Sequence, residues 1–235
     1  MKKFFLIGLT ISFILTSCAG LKNALPIPTD FESALALKDV LNSSTFKAIR
    51  TLNSMKNGNS VLPPQLEPVL SAMKTLGYGD QVEKVKLGII DASAIVASES
   101  EIIMKEAIKD LSFKDAAKIV VTGGDAATGV LKQSMYGTVT DRYSMRLDAE
   151  LEKTDATKYW PLAAGAYNIF AKEKVDEKLS HFIAKRSVDA LFLAVGQQEK
   201  ETRVDYKKVG SKVVNKVFDY YKDKKINSKG KIVKG

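Results

Sequence analysis

The window from Asp110 to Leu131, D-L-S-F-K-D-A-A-K-I-V-V-T-G-G-D-A-A-T-G-V-L, most narrows the folds open to this chain, because one helix ends and another begins inside it. Ser112 followed three residues later by Asp115 is a weak form of the capping box, in which short oxygen side chains accept hydrogen bonds from the unpaired N–H groups of a helix start. A helix through Ala116, Ala117, Ile119 and Val120 follows. Gly123 and Gly124 can enter the left-handed backbone region that closes a helix, and Asp125 stands where the cap of the next helix belongs, ahead of Ala126-Ala127-Thr128. Residues this small let two backbones approach closely, so the turn is expected inside the fold.

The remaining chain repeats the same grammar. Thr29 and Glu32 form a capping box, after which Leu37, Leu41, Ser44, Ala48, Leu52 and Met55 share one helix face until Asn57-Gly58-Asn59-Ser60 stops it. The link Val61-Leu62-Pro63-Pro64 leads to a short helix carrying Leu66, Val69, Leu70, Met73 and Leu76, with Pro68 tolerated in its first turn. Asp80 with Glu83 is expected to cap a helix through Val82, Val85, Ile89 and Ile90, and Ser98 with Glu101 to mark a second start within it. Beyond the central turn come a stripe of Ala127, Leu131, Met135 and Val139, then a charged, exposed stretch from Asp148 to Lys153. Thr154-Asp155 caps an aromatic segment that Pro161 is expected to kink, and long and short amphipathic helices cover Val175 to Arg203 and Val213 to Tyr221. Few runs alternate. The expectation is an all-α class: a single-domain bundle of about seven to nine helices over 29–221.

Residues 1–17 read as an export signal: Met1-Lys2-Lys3, then the apolar run Phe4 to Leu15, too short for a spanning helix of about 20 residues. Leu15-Thr16-Ser17-Cys18 resembles a bacterial lipobox, which makes Cys18, the only cysteine, the lipidation site and 18–28 a lipidated tether kept extended by Pro26 and Pro28. Ala19 rather than an acidic residue after it implies outer-membrane sorting, and the lack of an acidic run favours the periplasmic face. The expected partners are the membrane, through the lipid on Cys18, and an envelope protein. The formal charge of +9 points to no nucleic acid once it is located: two lysines lie in the leader, and 222–235 holds six lysines against one aspartate, leaving about +2 for the folded region. That basic, flexible tail reads as a solvated end, with contact to anionic lipid or polymer as the alternative.

Chemistry is harder to find. The window Gly124 to Gly129 has the glycine spacing of a phosphate loop, but Val130 and Leu131 replace its lysine and hydroxyl residue, and Asp125 would repel an anion at the helix start. His181 is the single histidine, so no zinc site, and no cofactor, is expected; it reads as a satisfied or exposed polar side chain. Glu99 with Glu101 and Glu150 with Glu152 are two apart and splay to different helix faces. Lys185 with Asp189 and Glu199 with Arg203 are four apart: they form same-helix ion pairs at the surface or, if buried beside the central turn, line a polar pocket with Asp125 and Thr128. Tyr159, Trp160 and Tyr167 belong either to the core or to the apolar lining of a ligand site.

Taken together, Leu62-Pro63, Ala107-Ile108, Asp115-Ala116, Gly124-Asp125-Ala126-Ala127-Thr128, Asp189-Ala190-Leu191-Phe192, Glu199 with Arg203, and Val217-Phe218 resemble the bacterial family called domain of unknown function 4197, over roughly Phe31 to Tyr221. The G-D-A-A-T turn is the most specific piece. The chain departs from the family pattern at Ile90-Asp91-Ala92-Ser93-Ala94 and after Arg203. The resemblance implies an exported helical protein and names no activity. With no catalytic residues assigned, the leading expectation is a non-enzymatic envelope lipoprotein that docks on a partner or supports envelope organisation. A carrier holding a small or amphiphilic ligand between helices is the alternative, and a carboxylate-based periplasmic enzyme the third.

Overall fold

A computed structural model describes residues 26–54, 63 and 65–235. The leader 1–17, Cys18, most of the 18–28 tether, Met55, the stop at 57–60 and most of the 61–64 link lie outside the described residues.

Eight α-helices build the described chain: α1 Asp30–Ser54, α2 Leu66–Thr75, α3 Val82–Asp110, α4 Ala116–Thr122, α5 Ala126–Leu151, α6 Ala156–Phe170, α7 Leu179–Val204 and α8 Lys212–Tyr221. Two 3₁₀ turns, Gly79–Gln81 and Tyr206–Val209, and a hairpin of β1 Lys224–Ile226 with β2 Ile232–Lys234 complete it. The all-α expectation holds. The first helix starts as its sequence dictates: the Thr29 N–H donates to Glu32 Oε2 at 2.9 Å while the Glu32 N–H donates to Thr29 Oγ1 at 3.1 Å, a reciprocal capping box. Its inner stripe of Leu37, Leu41 and Ala48 is wholly buried, each leucine contributing about 1.5–3 kcal/mol through removal from water. Ser44 shares that face because its hydroxyl donates back to the Val40 carbonyl at 2.7 Å, which pairs the polar group it brings into the core.

The long helices pair antiparallel. Contacts of Thr128 with Glu199, Tyr136 with Asp189 and Ser144 with Ser180 run down α5 as they run up α7. Arg142 with Glu106 and Arg146 with Glu99 do the same for α5 and α3. Helix α8 lies antiparallel on the first half of α1 through Ser211 to Asp39 and Lys216 to Glu32. One apolar cluster takes side chains from all eight helices, from Ala36 to Tyr221. Among the described residues no helix is long and apolar enough to cross a membrane.

Several local starts differ from the sequence reading. Asp80 lies in a 3₁₀ turn, and α3 begins after Gln81 with no side-chain cap. Ser98 opens no second helix. Its hydroxyl donates to the Ile95 carbonyl at 2.6 Å, and α3 runs unbroken because the buried series Val96, Ile103, Met104 and Ala107 continues past it. Ser112 caps nothing either; Asp115 precedes α4 in the left-handed region, φ 55°, without a side-chain cap. The charged stretch after Asp148 is partly helical, since α5 continues to the fully buried Leu151. Leu76 is 45% exposed rather than core. Val175 lies ahead of α7, held by Asn168, which accepts from its N–H at 2.8 Å and donates to its carbonyl at 2.9 Å. Finally, the segment expected as a flexible tail pairs into the hairpin, with β1 against α4.

Candidate functional site

The central turn is built as its glycines require. Gly123 and Gly124 take φ of 71° and 59°, conformations in which a Cβ would crowd the following carbonyl. The chain thereby stops α4 and starts α5 within three residues, which leaves the last carbonyls of one helix and the first N–H groups of the other without partners. Asp125 was expected to cap α5. It occupies the cap position but makes no side-chain cap bond; instead it pairs with Lys200 at 3.1 Å near the surface. Hydrogen bonding from Lys200 is the main reason its carboxyl is held below the usual range, outweighing the modest burial that opposes it.

The cap comes from Glu199. Its side chain is fully buried, and its carboxylate accepts from the Ala127 N–H at 3.1 Å, the Thr128 N–H at 2.7 Å, Thr128 Oγ1 at 2.6 Å and Arg203 Nε at 2.7 Å. Four donors match the roughly four lone-pair directions of a carboxylate. Arg203, 7% exposed, continues the chain of contacts: one terminal nitrogen donates to the Val120 carbonyl at 3.1 Å, and the guanidinium lies over the Phe218 ring at 5.6 Å. Its other terminal nitrogen is buried without a partner among the described residues. One ion pair on α7 thus satisfies the start of α5 and the end of α4 together. Gly196, one turn earlier, faces the same turn: a Cβ there would come into ordinary van der Waals contact with Asp125 Cβ at 3.4 Å and Thr128 Cγ2 at 3.7 Å.

Of the six residues assigned to a polar pocket, Asp125, Thr128, Glu199 and Arg203 therefore meet, and Lys185 and Asp189 do not. Asp189 stands ten residues before Glu199, about 15 Å along the helix. It accepts from Tyr136 Oη at 3.0 Å and faces Lys132 at 3.7 Å instead of pairing with Lys185. Burial first, then Asp189, push the Tyr136 phenol upward. Lys185 is exposed. The phosphate-loop geometry also has an explanation: the helix start does receive an anion, and that anion is the chain's own Glu199. A carboxylate with no exposure and four bound donors has no free lone pair to offer a substrate proton, so the cluster's chemistry is that of a clamp.

The aromatics divide between two neighbours. Trp160 is fully buried, stacks on Phe182 with centroids 5.0 Å apart and donates its Nε1–H to the Asp176 carbonyl at 2.9 Å. Tyr159 turns away to Tyr78, 5.3 Å between centroids, and Tyr167 is half-buried against the core. The three rings thus meet different neighbours. His181 binds Asp176 through Nδ1 at the surface; burial raises that carboxyl, but the hydrogen bonds from His181 and the Lys178 N–H leave it lowered. Among the described residues no group of three or more His, Cys, Asp or Glu side chains is placed to hold a metal ion. The sequence reading missed Asp30, whose Oδ1 accepts from the Ala117 N–H of α4 at 3.3 Å. It also missed a shallow depression of about 420 Å³ between Asp39, Asn42 and Ser43 of α1 and Val209, Gly210 and Ser211. Ser211 caps α8 and donates to Asp39 at 2.6 Å there; a serine directly ahead of an amphipathic helix was the only local signal.

The family model described as "Protein of unknown function (DUF4197)" matches residues 28–219. No curated protein and no solved structure matches the chain.

Proposed function

Since the chain belongs to the DUF4197 family, whose description carries no chemistry, we propose that it is a non-enzymatic, helical cell-envelope lipoprotein, anchored by lipid on Cys18 at the periplasmic face of the outer membrane and docking on an envelope protein. The observation that carries the docking role is a stripe on α3. Leu87, Ile95 and Ile102 are 55, 44 and 63% exposed, and their spacings of eight and seven place them along one helix face opposite the buried Val85, Ile89, Ala92 and Val96. Rows of this kind on an outer face mark interaction surfaces more often than scattered single exposures do. The closed clamp around Glu199 supports the same reading, because the residues that promised chemistry are engaged in holding helices together. A photo-crosslinking residue in place of Ile95 is expected to trap one or a few discrete protein adducts in intact cells, while the same probe at the exposed Gln133 of α5 traps none. Indistinguishable, diffuse profiles at the two positions would refute docking through this face.

A further inference from the structure

We infer that the C-terminal hairpin is a second membrane contact, a basic surface that docks on anionic phospholipid headgroups at the anchored end of the molecule. Residues 222–235 hold six lysines and one aspartate. Folding gathers them: Asn227 Oδ1 accepts from the N–H groups of Lys229 at 3.0 Å and Lys231 at 2.9 Å, Gly230 turns the chain at φ 69°, and the strands pair antiparallel. The register sets Lys224 directly opposite Lys234, and like charges in that relation oppose strand pairing. Among the described residues none of the six lysines has a carboxylate within salt-bridge distance, whereas Lys118, Lys200 and Lys216 each face one. Lys224 sits over the Tyr220 ring at 4.3 Å, which holds the cation without neutralising it. An unneutralised cluster built into ordered structure is complementary to a polyanionic surface.

Its position identifies which surface. The hairpin follows Tyr221 at the end of α8, and α8 runs antiparallel to α1 so that Lys216 reaches Glu32 at 2.6 Å. Strand β1 lies on α4, whose Ala117 bonds to Asp30 in the first turn of α1. The lysines and the point where the tether enters the fold therefore share one end, beside Ile27 and Phe31, which are 73 and 77% exposed. From Cys18 to Thr29 the chain spans at most about 40 Å when fully extended, so lipid on Cys18 would keep this end close to a bilayer. A lipid anchor with a polybasic patch is a two-signal arrangement that fixes orientation as well as attachment.

The choice of phospholipid as partner rests on the lipidation reading of Cys18, and the test separates the two. A chain starting at residue 18 with Cys18→Ser contains every described residue and no lipid. It is expected to bind mixed phosphatidylglycerol–phosphatidylcholine vesicles about tenfold more tightly than pure phosphatidylcholine and to be released by about 0.5 M salt. Replacing Lys225, Lys229, Lys231 and Lys234 with Gln should abolish the preference, with the helical circular dichroism unchanged. The same exchange at the exposed Lys84, Lys105, Lys172 and Lys174 should leave most of it. If the hairpin variant misfolds, a fluorophore on Lys225→Cys in the Cys18→Ser chain reports instead, shifting to the blue with anionic vesicles only. Equal binding to both vesicles, equal losses in the two quadruple variants, or self-association through these lysines without vesicle binding would overturn the inference. Radiolabelled palmitate incorporation at Cys18 in cells decides the anchor independently.

Discussion

Glu199 and Arg203 hold the most consequential arrangement of charge at the scale of single residues. Taking a carboxylate fully out of water costs several kcal/mol even after relaxation, and only a complete set of donors offsets it; here the set comprises two backbone N–H groups, a hydroxyl and a guanidinium. Glu199→Gln keeps the shape but turns an NH₂ group toward donors that need an acceptor, so a loss of about 3 kcal/mol is expected. It should show as a lower urea midpoint with an unchanged slope. Arg203→Met leaves the anion with the helix start alone and should cost a comparable amount. The double variant should lose less than both losses added, by about 0.5–3 kcal/mol, because the two residues share one network. Asp125→Asn, by contrast, touches a carboxylate that is 54% exposed beside Lys200 and should cost under about 1 kcal/mol. A Glu199→Gln protein as stable as the parent would refute the clamp.

At the scale of helices and turns, what could be read in advance was what the local chain decides. The periods of α1, α5, α7 and α8 and the Thr29–Glu32 box were legible because the residues that fix them lie within a few positions of one another. The caps at the centre were not. The start of α4 is satisfied by Asp30, 87 residues away, and that of α5 by Glu199, 71 and 72 residues away; no local spacing encodes such a partner. Asp115 and Asp125 looked like caps because they stand in the right positions, yet distant carboxylates took the bonds. The hairpin was hidden by strands of three residues rich in lysine, although Asn227 and Gly230 did mark a turn. Part of the candidate site was legible for a similar reason: Glu199 and Arg203 share a helix face and pair there, while Asp189, at the same spacing from Lys185, bonds to Tyr136 of α5 and Lys185 stays exposed. Packing between elements also predicts opposite outcomes for one substitution. A Cβ at Gly88 of α3 would stand 2.9 Å from Thr154 Cβ, whereas Gly137 of α5 has nothing within 4 Å. Gly137→Ala should raise stability by about 0.5–1 kcal/mol through helix propensity. Gly88→Ala should lower it by about 1–3 kcal/mol despite the same gain, because the chain entering α6 must move. Thermal denaturation of both would show the opposite signs; a stabilised Gly88→Ala protein would mean that α3 and this connection are not closely packed.

For the molecule as a whole, the decisive property is that one apolar cluster joins both ends. The clamp sits where α4, α5, α7 and α8 converge, and Trp160 lies toward the other end of α7, near its first turn. Trp160 is nevertheless continuous with the clamp through buried side chains of α7, from Phe182 and Ile183 through Val188, Leu191 and Val195 to Glu199. A structure coupled in this way should open as a unit, although chains longer than about 150 residues often do not. The single tryptophan makes the expectation measurable. In the folded protein its emission should be blue-shifted, since Trp160 has no exposed surface. During urea unfolding its red shift should coincide with the loss of helical circular dichroism. Glu199→Gln should move both curves to lower urea by the same amount, even though the substitution lies at the opposite end of the helix. Should the tryptophan signal change first and remain unmoved by the substitution, α2 and α6 would form a separately folding layer, and the effect of the clamp would end within the helices it touches.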